Sequence, residues 1–200
     1  MPDRRDRYYY LAKKDNYRSR AAFKLMELRT KYSLFHPGQY ILEVGASPGG
    51  WTQIITSITG STVIAVDVNQ MEPMENVIFI RGRIEDPRTA EAIRSTMQEM
   101  GISSLQGIAS DAMTHTSGKH DIDHASSYLI CDSVMKTGTP LLDEGAFVIL
   151  KQFYGDLTAQ FINKWKNLFR SVHTTKVAAS RDASSEVYII FTGYLSRSST

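Results

Sequence analysis

The sequence predicts an α/β fold: a doubly wound, mostly parallel sheet of about seven strands with an antiparallel hairpin at its C-terminal edge. Three observations lead there. A short apolar run (Tyr40, Ile41, Leu42, Val44) breaks into Gly45-Ala46-Ser47-Pro48-Gly49-Gly50, and an apolar helical pattern through Trp51, Ile54, Ile55 and Ile58 follows. Strand, glycine turn and helix open a nucleotide-binding βαβ unit, where the backbone must pass close to a ligand. Downstream, short apolar strands alternate with amphipathic helices, and residues 172–177 and 187–191 read as a closing antiparallel pair.

Size and composition fit one domain. A chain of 200 residues buries roughly 70% of the surface its unfolded form exposes. The content of 42% hydrophobic and 22% charged residues is that of an ordinary globular protein. No apolar run approaches the ~20 residues of a membrane span, and the charged, tyrosine-rich start lacks the apolar segment of a secretory signal. The single cysteine, Cys131, lies in an apolar helical stretch and reads as a small core residue. A cytoplasmic setting is expected. The net charge of +2 hides an asymmetry: residues 1–31 hold ten Lys/Arg against four Asp/Glu, leaving −4 for the remainder. A basic segment interleaved with Tyr8, Tyr9, Tyr10 and Tyr17 suits a polyanion with exposed bases. For residues 1–12 alone, a solvated tail is the safer expectation. The organisation expected is a basic arm over 1–16, one domain over 17–195 and a serine-rich tail over 196–200.

In order, residues 18–32 read as an amphipathic helix that contains Lys24, and Pro37-Gly38 as a turn before the first strand. Within the glycine turn, Gly45 and Gly50 fit the first and third positions of the dinucleotide fingerprint. Ser47 takes the middle one, and Pro48 removes an N–H that a diphosphate would use. An adenosine ligand without a pyrophosphate suits this turn, S-adenosylmethionine above all. On the turn alone, a loop that merely tightens the connection is an equal reading. Residues 62–66 form the second strand and end at Asp67, placed about 20 positions after the turn to accept from ribose hydroxyls. Turn and carboxylate together favour adenosine binding.

A third strand is expected over 77–80, a helix over 89–100 and a fourth strand over 106–110, closing on Asp111. A loop follows to His120, then a helix over 122–137 capped by Asp121. His120 and His124 have the i,i+4 spacing of a metal pair, but no third ligand is evident and no metal is expected. The fifth strand, 146–150, ends at Lys151, on the sheet edge where such folds place ligands. A helix over 156–169 precedes the closing pair, whose last strand begins beside Glu186.

Several stretches now coincide with one family. Tyr17-Arg-Ser-Arg-Ala-Ala-Phe-Lys24, Glu43-Val-Gly-Ala-Ser-Pro-Gly-Gly-Trp51, Ser110-Asp111, Lys151 and Ser185-Glu-Val-Tyr-Ile-Ile-Phe-Thr-Gly193 stand in an order and spacing that resemble the FtsJ (RrmJ) family of S-adenosylmethionine-dependent RNA 2′-O-methyltransferases. The resemblance runs from about Tyr8 to Tyr194 and implies a Rossmann-like methyltransferase fold. It implies a catalytic tetrad of Lys24, Asp111, Lys151 and Glu186, and cofactor contacts from Gly45, Ala46, Ser47, Pro48, Gly49, Trp51, Asp67, Arg83 and Asp111. Arg83 stands where the family usually has an acidic residue near the adenine, and Thr114 and His115 stand where it has Pro and Asn. RNA contacts are expected from Tyr17, Arg18, Arg20 and Lys24, with Lys164, Lys166, Arg170, Lys176 and Arg181 as a second patch.

Methyl transfer to a ribose hydroxyl needs the acceptor positioned and its proton handled. By resemblance Lys151 is the centre of that work. If burial and Lys24 lower its pKa it is a general base; if Asp111 and Glu186 keep it charged it stabilises an alkoxide. The base is the reading carried forward. Lys24 is expected to orient the hydroxyl or a phosphate and Glu186 to hold the lysines. The expected substrate is a uridine of large-subunit ribosomal RNA, free or in the assembled subunit, and the expected state a monomer. Competing readings are a transfer RNA 2′-O-methyltransferase, a catalytically silent ribosome-assembly factor, and a nicotinamide-dependent dehydrogenase, the last opposed by Ser47 and Pro48.

Overall fold

The computed structural model describes residues 6–113, 117–180 and 184–196. Seven strands form one sheet in the order β3-β2-β1-β4-β5-β7-β6. They are β1 (Ile41–Val44), β2 (Val63–Asp67), β3 (Val77–Arg81), β4 (Leu105–Ser110), β5 (Leu142–Phe153), β6 (Phe169–Thr175) and β7 (Glu186–Tyr194). The first five are parallel; β7 runs antiparallel between β5 and β6. The expected hairpin is present, with the later strand inserted on the inside.

Helices cover both faces. On one, α2 (Ala21–Tyr32) and α3 (Gly50–Thr59) bury Ala22, Leu25, Leu28, Ile54 and Ile55 against Ile41, Val63, Ile149 and Ile190. On the other, α4 (Pro87–Glu99), α5 (His120–Gly138) and α6 (Leu157–Trp165) bury Ile93, Met97, Cys131, Val134 and Phe161 against Leu42, Ile64, Ile108 and Leu150. Strands covered on both sides must be apolar throughout, which is why β1 and β2 are buried at every position.

The boundaries move where local chemistry intervenes. α4 starts two residues earlier than the apolar pattern suggests, because Asp86 accepts from the Arg88 N–H and Pro87 suits the first helical position. α5 also starts early, and Asp121 does not cap it: its side chain is solvent-exposed, while Asp123 accepts from the N–H groups of Ser117 (2.6 Å) and Gly118 (3.2 Å). The expected helix over 156–169 ends at Trp165, and a short tight turn leads into β6.

Residues 7–14 are helical rather than a solvated tail. This α1 (Arg7–Lys14) is capped by Asp6, whose carboxylate also pairs with Arg20. Tyr8 packs in a tilted arrangement against Phe23, centroids 5.5 Å apart, and the Arg20 guanidinium lies over the Tyr8 ring. The tyrosines that looked available to bases are thus partly used to fasten α1 to α2. The expected tail from 197 onward lies outside the described residues.

Close packing in the centre of the sheet has one clear pinch point. Gly107 of β4 faces Phe147 of β5, and a Cβ at Gly107 would meet the ring at 2.4 Å. Gly107→Ala is expected to cost about 1–3 kcal/mol, the usual cost of overpacking a core. Pairing it with Phe147→Leu should recover part of that loss, read as a Tm closer to wild type than the single Gly107→Ala variant gives.

Candidate active site

The parallel strands end on one edge, and the strand order reverses there between β1 and β4, the position where α/β sheets form a ligand crevice. Gly45, Asp67, Asp111 and Glu186 reach that edge because each ends, follows or starts a strand there, and Lys151 lies near the end of β5. Lys151 lies within β5 rather than after it. The strand continues because β7 pairs with it as far as Phe153–Glu186, whereas β4 stops at Ser110–Leu150. Lys151 therefore projects just past the end of β4, beside Asp111.

This geometry assembles the four tetrad residues as two linked pairs. Lys151, only 5% exposed, donates from Nζ to the Asp111 carbonyl (2.6 Å), and its Nζ pairs with Asp111 Oδ1 at 3.2 Å. The Tyr188 hydroxyl donates to the same Oδ1 at 3.0 Å. Lys24, on α2, pairs with Glu186 Oε1, which also accepts from the Ser180 hydroxyl. Burial would raise the Glu186 carboxyl, but the Lys24 charge and these hydrogen bonds outweigh it and hold its pKa below the ordinary value. Lys24 also lies 6.0 Å over the Tyr188 ring. Burial and the neighbouring Asp111 carboxylate push the Tyr188 phenol well above its normal range, so it stays a donor. Tyr188 was not singled out from the sequence; its signal was its place two residues after Glu186, on the same side of β7.

The glycine turn forms as expected. Gly45 (φ +80°) and Ala46 donate their N–H groups to the Val66 carbonyl, and a Cβ at Gly45 would strike the Ala112 backbone at 2.5 Å. Only glycine satisfies both the angle and the approach. Ser47 donates its N–H to Asp67 Oδ2 (2.9 Å) and Asn69 to Oδ1 (2.7 Å), so Asp67 is oriented by backbone donors. Gly49, at φ +110°, caps α3, whose N-terminus points at the turn. Trp51 is buried; its indole N–H bonds to the Ala21 carbonyl and its ring lies 5.9 Å from Tyr188. Arg83 is exposed and pairs with Glu85 at 2.6 Å.

Several expected RNA contacts have partners inside the protein. Arg18 spans the carbonyls of Pro48, Glu72 and Pro73, clamping the turn to the segment after β2. Arg20 bonds to the Ala179 carbonyl besides Asp6, and the Tyr17 ring packs edge-on against Phe23. The second basic patch is split: Arg170 starts β6 and Lys176 follows its end, with Arg170 held by Glu144 and Lys164 by Asp132. Arg181, Thr114 and His115 lie outside the described residues. His124 uses both ring nitrogens structurally, donating from Nδ1 to the Phe153 carbonyl (2.6 Å) and accepting at Nε2 from the Leu157 N–H (3.0 Å) at the start of α6. Cys131 is core, as expected: burial pushes its thiol up to about 12, and its Sγ contacts the Lys151 carbonyl at 3.2 Å.

Glu43 is the residue the sequence reading passed over. It sits in β1, 1% exposed, and its Oε2 has no hydrogen-bond partner among the described residues. Burial first, then the carboxylates of Asp111 and Asp67, raise its pKa to about 8 against the pull of a Thr52 hydrogen bond. Three carboxyl groups thus converge on the turn. With Glu43 neutral, the charge of the cradle comes from Asp67 and Asp111, and that sign fits a ligand carrying a sulfonium and an ammonium rather than a diphosphate.

The FtsJ-like methyltransferase family model matches residues 17–194. The chain belongs to that family. Among its relatives, the ribosomal RNA large subunit methyltransferase E of Picrophilus torridus is 48% identical over 189 residues, covering 94% of this chain and 97% of that protein. The protein of the same name from Thermoplasma acidophilum is 45% identical over 192 residues, covering 96% and 93%. A crystal structure described as a ribosomal RNA methyltransferase of Plasmodium falciparum superimposes with a TM-score of 0.81 at 30% identity, covering 90% of this chain and all of that one. The fold alone is shared with a Streptococcus mutans methyltransferase in complex with SAH, at 10% identity and a TM-score of 0.55. The residues described above thus stand on a doubly wound α/β methyltransferase sheet.

The buried Glu43 carboxyl has a clear pH signature. It stays protonated to about pH 8 in the native state, against a normal value of 4.5. Its favourable contribution is full below the unfolded value and is lost as pH rises through the folded one, a loss of roughly 5 kcal/mol. Glu43→Gln keeps the shape but cannot ionise. Its Tm is expected to exceed that of wild type at about pH 9 and to approach it at about pH 5. A Tm difference that does not change between those two conditions would overturn the protonated assignment.

Proposed function

We propose that the protein transfers a methyl group from S-adenosylmethionine to a ribose 2′-hydroxyl of large-subunit ribosomal RNA, at a uridine. The observation that carries this reading is the buried Lys151 amine, held by a hydrogen bond to the Asp111 carbonyl and lying 3.2 Å from the Asp111 carboxylate. The names of the relatives at 45% and 48% identity support the choice of RNA. The three-carboxyl cradle and the glycine turn support the cofactor, held by backbone groups of residues 45–49 and by Asp67 and Asp111.

When bound, S-adenosylmethionine supplies a methyl carbon already activated by its sulfonium. The chain has to place the hydroxyl oxygen in line with the methyl–sulfur bond and take its proton as the oxygen–carbon bond forms. Placement in a near-attack geometry can lower the barrier by roughly 7–11 kcal/mol. The Asp111 carbonyl takes one hydrogen of Lys151 Nζ, and the Asp111 carboxylate lies beside it. In the neutral amine the lone pair receives the hydroxyl proton, and the resulting N–H holds the new ether oxygen. Tyr188 keeps Asp111 oriented, and Lys24, steadied by Glu186 and Ser180, holds the ribose or its phosphate beside Lys151.

The direct test follows labelled methyl transfer to undermodified large ribosomal subunits, purified ribosomal RNA and transfer RNA, with nucleosides analysed afterwards. Wild type is expected to yield 2′-O-methyluridine from the large-subunit RNA. Lys151→Ala and Lys151→Arg are each expected to lose at least about 100-fold in rate, since a guanidinium cannot deprotonate, while cofactor binding by calorimetry stays intact. Label on a base, or on transfer RNA alone, would overturn the substrate reading. Full activity in Lys151→Arg would overturn the base.

A further inference from the structure

Lys24 pairs with Glu186 and Lys151 with Asp111, at the reacting sugar, and Arg18 and Arg20 bond to the protein's own groups. An RNA strand crossing this edge needs phosphate contacts and a surface for its bases elsewhere. One corner of the same edge offers both. Tyr154 follows β5 three residues beyond Lys151, about 10 Å along the strand. Its N–H is fixed to the Ser185 carbonyl at 2.9 Å, next to Glu186. The side chain is 58% exposed, and among the described residues its ring makes no aromatic contact and its hydroxyl no hydrogen bond.

The ring borders a shallow hollow of about 270 Å³ formed with Thr174, Thr175, Lys176 and Val187. Val187 lies on the opposite face of β7 from Glu186 and Tyr188, so the hollow sits across the rim of the sheet from the tetrad. Lys176 is exposed and has no ion-pair partner among the described residues. A large aromatic face held on a fixed backbone, beside a concave wall with a cation, is the arrangement by which proteins hold single-stranded nucleic acid.

We propose that Tyr154 is a stacking platform for a base close to the methylated nucleotide, with Lys176 holding a phosphate of that segment. The proposal rests on the reading of the site as an RNA methyltransferase. It places the acceptor RNA over the rim of the sheet between β5 and β7, single-stranded where it leaves the tetrad.

Affinity for a fluorescein-labelled oligouridylate, read by anisotropy, separates this proposal from the catalytic one because it does not depend on methyl transfer. KM and kcat on undermodified ribosomal RNA and calorimetric cofactor affinity complete the set. Tyr154→Ala is expected to weaken oligouridylate binding by about five- to 100-fold, the range for one lost base–aromatic stack, and to raise KM for RNA while leaving cofactor affinity unchanged. Tyr154→Trp should restore binding, and Tyr154→Leu, which keeps bulk without a π-face, should not. Lys176→Ala should lower the slope of log affinity against log salt by about one. Undiminished binding in Tyr154→Ala, or full restoration by Tyr154→Leu, would overturn the platform. Wild type that binds RNA with these dependences yet transfers no methyl would overturn the catalytic reading alone.

Discussion

A buried lysine amine is tolerable only where acceptors for its hydrogens are already in place, because a buried polar group left without a partner costs free energy. Lys151 meets that condition through a difference in strand length. β5 outruns β4, so the residue just after β4, Asp111, lies beside the first residue of β5 that β4 no longer covers. The rest of the site follows. Asp111 needs a donor on its far side, which Tyr188 of β7 provides, and Tyr188 is positioned by the same antiparallel register that extends β5. Glu186, two residues earlier, then falls within reach of Lys24 on α2.

The turn between β1 and α3 answers to a second constraint. Its backbone passes so close to Ala112 that no side chain fits at Gly45, and Arg18 fastens its outer side to the carbonyls after β2. Carboxyl groups gather inside it, one kept neutral by burial. The result is a rigid concave backbone of negative character, which agrees with a cationic ligand and sets the FtsJ-like chain apart from dinucleotide binders sharing its sheet.

The sheet was legible because strands covered on both faces must be continuously apolar, and the glycine turn because its spacing is tied to backbone geometry. The tetrad was legible through resemblance, since nothing local distinguishes Lys24 from any other helix lysine. The misreadings have a common origin in contacts distant in sequence. α1 is a helix because Tyr8 and Asp6 find Phe23 and Arg20, and the extension of β5 depends on a strand more than thirty residues later. Glu43 escaped notice because a charged residue inside an apolar run looks like an edge of the pattern; only its burial shows it to be neutral.

The position of β7 between β5 and β6 also governs how the molecule comes to exist. β6 precedes β7 in the chain yet reaches the sheet only through it. Until β7 has been made, β6 has no neighbour and β5 presents an open edge, a sticky template for other chains. Closing that slot joins segments far apart in sequence, the kind of contact that slows folding. Glu186 and Tyr188 arrive with the same strand, so sealing the exposed edge and completing the lysine pairs are a single event.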